Sequence, residues 1–184
     1  VFAVTQLSHR LLADVSPGHA LETAFLFVAV WWVWVYTTWV MNWLNPEHPQ
    51  VRMAVFALCF LGLIMSVALP AAFGDRGLPF ALAYSGAQIA RSAIMIFASP
   101  TASLKANFLR VTIWFCFSAP LWIGGAFLEG PARALVWVLA LGLDLAGPVL
   151  RFRTPGLGAS KVTDWDISGE HMAERCALFI IIAL

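Results

Sequence analysis

The 184 residues are 61% hydrophobic and 11% charged, with a mean hydropathy of +0.82, whereas a soluble domain carries about 25% charged residues. A soluble core cannot absorb this much apolar surface, and a net charge of +1 without a basic cluster leaves no electrostatic footprint for nucleic acid. The apolar residues fall in blocks of about twenty, the length that crosses a ~30 Å hydrocarbon layer, so we expect an all-α, polytopic transmembrane helix bundle forming a single domain over 1–184.

In chain order, Val1–Ala13 is the end of a helix without an initiating Met or polar lead, broken by Ser16-Pro17-Gly18. A second segment, Ala20–Leu44, stops at Asn45-Pro46, because the residue before proline is pushed out of the helical region. A third, Val51–Ala72, turns at Gly74-Asp75-Arg76-Gly77 into a fourth, Leu78–Ala98, with Pro79 in the tolerated first turn. Ser99-Pro100 closes it. The fifth, Leu104–Phe127, is linked by Glu129-Gly130-Pro131 to a sixth that runs to Leu150. Arg151–Ser168 is the one long loop, and a seventh helix from Gly169 stops in mid-segment at Leu184. About seven membrane segments result, the first and last truncated, with the chain expected to be incomplete at both ends. Arg52, Lys105, Arg110, Arg151, Arg153 and Lys161 mark one face, against Arg10, Arg76 and Arg133 on the other, which places the long loop in the cytoplasm. Cys59, Cys116 and Cys176 lie in apolar segments at spacings unlike any metal or redox motif, and read as small packing side chains.

The fourth segment is the most informative. Tyr84, Gln88, Arg91 and Ser92 stand at i, i+4, i+7 and i+8, a polar stripe along an apolar span that cannot face lipid. Intramembrane charges cost roughly 2.5–3.5 kcal/mol on insertion scales and face a bundle interior or an aqueous path. Two readings stay open: a pathway, or an ion pair that locks two helices. In the sixth segment Asp144 stands alone among Leu, Ala and Gly. Fourth and sixth segments run parallel, and Arg91 and Asp144 fall at nearly equal depth, roughly 5 Å past the bilayer centre at 1.5 Å per residue. They are therefore expected to pair directly.

Elsewhere the signals divide between ligand and packing roles. Trp32, Tyr36, Trp39 and Trp43 share one face of the second segment, either for a flat or cationic ligand or as an interfacial, lipid-facing belt. Thr38 and Asn42 are expected to bond a neighbouring helix. Asn107 and Arg110 sit where arginine can snorkel, Pro120 frees the carbonyl of Cys116, and Gly124-Gly125 permits close helix approach. Thr5, Gln6 and His9 form a small polar patch. His171, Glu174 and Arg175 share one face of the seventh helix: a charge network at a helix start, or the beginnings of a metal site that lacks a second ligand set. Thr154-Pro155-Gly156-Leu157-Gly158 lacks the spacing and lysine of a phosphate loop, and no catalytic nucleophile set appears. No cofactor is implied and no enzyme is favoured.

Residues 1–9, Tyr36–Leu44 and His171–Leu184, with Ala140–Pro148 and Pro155–Gly158, resemble the bacterial low temperature requirement A (LtrA) family across essentially the whole chain. The resemblance implies a multi-pass protein of the bacterial plasma (inner) membrane about twice this length, of which this is the N-terminal half, with an acidic lead before Val1 and a Gly-Glu-Ser continuation after Leu184. It also allows two repeats in which the first and seventh helices are equivalent, an arrangement common in transporters. It supplies no substrate. The leading expectation is movement of an ion or small solute through Tyr84, Gln88, Arg91, Ser92 and Asp144, with His171, Glu174 and Arg175 at a cytoplasmic mouth and membrane lipids as partners. The alternatives are a membrane-embedded enzyme acting on a lipid, and a structural or sensory protein of cold or stress adaptation.

Overall fold

A computed structural model describes residues 2–44, 47–161, 165, 173, 174, 177–179 and 181. Helix α1 (Phe2–Ala13) gives way to a tight corner. There Asp14 accepts from the Ser16 amide (2.9 Å) and hydroxyl (3.1 Å), and these donors, the amide first, hold its carboxyl below the ordinary carboxylate range. Ser16 has extended backbone, and its hydroxyl oxygen accepts from the His19 amide. It is thus the N-cap of α2 (Pro17–Val40), with Pro17 at the first helical position, where its missing N–H costs nothing. The triplet expected to break one helix therefore opens the next, three residues earlier than Ala20. α2 relaxes into a turn over Met41–Trp43. The expected stop at Asn45-Pro46 lies outside the described residues.

α3 (Pro49–Ala68) tightens into a single 3₁₀ turn at Leu69–Ala71, where Pro70 has no amide to continue the α-helical ladder. α4 (Gly77–Ala98) follows, then α5 (Ala102–Gly125), capped by the Thr101 hydroxyl accepting from Leu104, and α6 (Gly130–Val149). All three begin and end within about two residues of the expected bounds. Pro120 sits inside α5, which continues as one helix across it. Among the described residues five helices, α2 to α6, are long and apolar enough to cross a membrane. Among the described residues there is one isolated bridge, Thr154 with Gly158, and no strand, as expected where every backbone group in lipid needs an internal partner. Residues 173, 174, 177–179 and 181 are helical. Phe179 is buried against Phe27 (5.9 Å) and Trp34 (4.8 Å) of α2.

α4 is the central helix, packed against α3 and α5, while α5 in turn packs against α6. Phe25, Phe73, Phe80, Trp122 and Trp137 interlock around this junction at centroid separations of 5.1–6.4 Å. Gly125 makes the closest helix approach. A Cβ there would stand 2.6 Å from Trp137 Cδ1, whereas one on Gly124 would meet nothing, so only one of the expected pair performs that role. Cys59 and Cys116, expected to pack inside, are exposed. They lie on the outward surface, where a thiol suits hydrocarbon as well as a small apolar group does.

Candidate polar site inside the bundle

Four of the expected site residues are joined inside the bundle. Tyr84 and Arg91 are wholly buried, Gln88 and Ser92 are 1% exposed, and Asp144 is 3% exposed. Arg91 donates through Nη2 to Gln88 Oε1. Gln88 Nε2 donates to Tyr84 Oη (3.3 Å), and Tyr84 Oη donates to Asp144 Oδ2 (2.9 Å). Every donor in this chain points the same way, from guanidinium to carboxyl, the arrangement in which successive hydrogen bonds polarise and strengthen one another. α5 adds a second donor to the same carboxyl oxygen, Trp122 Nε1–H at 3.0 Å. Ser92 stands outside the relay, with its hydroxyl turned back to the Gln88 carbonyl (2.8 Å).

Arg91 and Asp144 do not form the expected ion pair. Equal depth along parallel helices does not determine direction around them, and α5 packs against both α4 and α6. The remaining space is filled by Tyr84 and Gln88. The Arg91 guanidinium instead turns to α2, donating through Nη1 to the Val33 carbonyl (3.1 Å) and the Thr37 hydroxyl (3.2 Å) and lying 5.2 Å from the Tyr36 ring centroid.

The aromatic face of α2 points inward as well. Trp32 and Tyr36 are buried, Tyr36 packs edge-on against Phe115 (5.3 Å), and Trp43 packs edge-on against Phe108 (5.7 Å). Trp165 closes on Trp39 and Trp43. Trp32 and Tyr36 are thus interior walls of the bundle and do not face lipid, while Trp39 and Trp43, nearer the end of the helix, are half-buried. Among the described residues Thr38 bonds the Val35 carbonyl of its own helix and not a neighbouring one as expected, while Asn42 donates to the carbonyls of Thr38 and Trp39 near the end of α2. Three buried polar atoms around the relay lack a hydrogen bond of ordinary geometry: Arg91 Nε, Tyr36 Oη and Asp144 Oδ1, with the Ser118 hydroxyl of α5 standing beside the Asp144 carboxyl. Such atoms are rare in folded interiors. The site thus offers one acceptor and two donors to a small polar species.

At the expected mouth, Glu174 is exposed, while His171 and Arg175 lie outside the described residues. Thr5 and His9 of the expected patch are also exposed. Several polar anchors were not expected. Arg10 is buried in an ion pair with Glu22 and donates to the Pro70 carbonyl (2.6 Å). Arg133 donates to the carbonyls of Leu128, Ala72, Gly74 and Ala126. Both had been counted only as face charges, yet they bind helix-end carbonyls, which no residue pattern reveals. Arg110, expected to snorkel, is turned to Asn107 (2.7 Å) and to the Leu157 carbonyl (2.9 and 2.6 Å), pinning the long loop.

Helices long and apolar enough to span, five of them among the described residues, packed around a buried polar relay, define a multi-pass helical membrane protein. The family model described as bacterial low temperature requirement A protein (LtrA) matches residues 1–184, and the chain belongs to that family. It is similar to a protein of Rhizobium meliloti (strain 1021) described as uncharacterized, 45% identical over 187 residues that take in 100% of this chain and 46% of the relative. The chain therefore spans about half the length of that relative. No solved structure matches it.

Proposed function

We propose that this chain, a single domain, forms part of a transporter in the bacterial inner membrane that moves an ion or small polar solute through the bundle interior. One observation carries this reading: a directed relay, buried at membrane depth, that runs from the Arg91 guanidinium to the Asp144 carboxyl. A charge at membrane depth is expensive, and such groups characteristically mark pathways. A relay that served only to tie helices together would not need a charged group at each end. In this proposal Asp144 Oδ1 accepts from the cargo, Arg91 Nε and Tyr36 Oη donate to it, and Glu174 with His171 and Arg175 lines the cytoplasmic mouth. Membrane lipids surround it and no nucleic acid takes part.

A purely structural role in cold or stress adaptation is the second reading, favoured by the full use of both terminal nitrogens of Arg91. Uptake by vesicles containing the full-length protein, over a broad panel of ions and small solutes, separates the two. Transport predicts accumulation above empty vesicles that Arg91→Ala abolishes, and equal fluxes across the panel overturn it.

A further inference from the structure

The long loop carries a second site that the relay does not use. Residues 151–161, Arg-Phe-Arg-Thr-Pro-Gly-Leu-Gly-Ala-Ser-Lys, contain three cations and no acid, and they fold into a fixed shape. Arg151 and Phe152 hold left-handed backbone (φ 53° and 49°), a conformation that non-glycine residues adopt only where the surroundings enforce it. Here the enforcing contacts are plain. The Phe152 amide donates to the Gly147 carbonyl (2.8 Å), the Ser160 amide to the Arg151 carbonyl (2.9 Å), and the Thr154 amide to the Gly158 carbonyl (2.9 Å). The Phe152 ring fills the place a Cβ on Gly147 would take (2.5 Å), and Arg110 clamps Leu157.

This loop roofs a cleft of about 870 Å³ lined by Trp114, Val149, Leu150, Arg151, Arg153 and Pro155 among others. A narrower, largely apolar cleft runs beneath it between α5 and α6, along Ile113, Trp114, Phe117 and Leu143, and shares Arg153 and Trp114 with the first. Val149, Leu150 and Phe117 are strongly exposed, an apolar surface that acyl chains suit in a spanning bundle. Both arginine side chains are exposed and without hydrogen bond or ion pair among the described residues. Two free guanidinium groups therefore stand over an apolar slot open to lipid, at the arginine-rich membrane face.

We infer that the α5–α6 cleft and the 151–161 loop form a binding site for an anionic phospholipid, with the headgroup phosphate at Arg151 and Arg153 and an acyl chain along Ile113, Phe117 and Leu143. Charge complementarity selects this occupant. A zwitterionic lipid fills the slot equally well but brings its own cation to the arginines, and each basic residue near an anionic surface favours the anion about fivefold.

Trp114 lies at the junction of the two clefts and reports occupancy. The full-length protein is reconstituted in phosphatidylcholine vesicles containing either dibrominated phosphatidylglycerol or dibrominated phosphatidylcholine of the same chain length, and Trp114 quenching is the difference between wild type and Trp114→Phe. Quenching by the glycerol lipid should require a several-fold lower mole fraction than by the choline lipid. Arg151→Gln and Arg153→Gln, both at exposed positions, should each shrink that preference about fivefold, while Arg52→Gln, on the same face and outside the cleft, leaves it unchanged. Equal quenching by the two lipids overturns the site, as does a preference that survives Arg151→Gln/Arg153→Gln. An equal loss in Arg52→Gln reduces the effect to general surface charge, and displacement of the lipid by inorganic phosphate reassigns the arginines to a soluble anion. Either result removes the proposal.

Discussion

Arg91 and Asp144 are coupled without touching: the guanidinium donates to Gln88, Gln88 to Tyr84, and Tyr84 to the carboxyl. Seven residues separate Tyr84 from Arg91, about 10.5 Å along the helix, and Gln88, one turn from each, joins the two ends of the stripe. Its middle members should then matter as much as its ends.

Tyr84→Phe keeps the ring and removes the single hydroxyl that links the two halves. Gln88 Nε2 loses its acceptor and Asp144 Oδ2 is left with Trp122 alone. Leaving a buried group unsatisfied costs about 1–3 kcal/mol, so unfolding of the full-length protein in bicelles should show a loss of that size. An unchanged unfolding free energy would mean that the relay carries no strain-bearing contact.

Arg91→Lys should fail to replace arginine. A lysine ammonium is a point donor on a flexible stem and cannot reproduce the planar fork that serves Gln88 on one side and Val33 with Thr37 on the other. Flux should fall at least tenfold in this variant while protein yield in the membrane stays near wild type. Wild-type flux would show that charge alone suffices.

The two adjacent glycines of α5 should part company. Gly125→Ala drives a methyl into Trp137 and should cost about 1–3 kcal/mol by overpacking. Gly124→Ala meets open space and should be neutral or stabilising by up to about 1 kcal/mol. Comparing both by chemical unfolding checks the α5–α6 packing, which positions Asp144 opposite Trp122.

Arg110→Ala should release the long loop, since both of its bonds to the Leu157 carbonyl go at once. Charge-assisted bonds contribute about 1.5–3 kcal/mol, so the open population should rise about tenfold or more. Tryptic cleavage after Arg151 and Arg153 in the membrane-embedded protein measures this directly.

The helical plan and the stripe on α4 were legible because both rest on local spacing: blocks of spanning length, and Tyr84, Gln88 and Arg91 one or two turns apart. The relay's closure was not. Equal depth brought Arg91 and Asp144 to one level but said nothing of their directions around parallel helices, and a pattern of residues does not show that Trp122 reaches Asp144 from a third helix. Arg10 and Arg133 are hidden from the sequence for a related reason: backbone carbonyls near helix ends, which carry no sequence signature, accept from both, alongside Glu22 for Arg10. Ser16-Pro17-Gly18 gave the boundary correctly and its sense wrongly, because the same residues that interrupt one helix can cap the next.

The most direct test of the central claim is solute flux into vesicles holding the full-length protein, measured side by side for wild type, Arg91→Ala, Tyr84→Phe and Asp144→Asn, with folding of each confirmed by its circular dichroism. Flux is predicted in the wild type and its loss in all three variants, since Arg91→Ala and Tyr84→Phe each interrupt the chain and Asp144→Asn keeps an acceptor for Tyr84 but removes the charge at its end. Wild-type flux in Tyr84→Phe alongside loss in Arg91→Ala would contradict it, because the two charged ends would then be working independently.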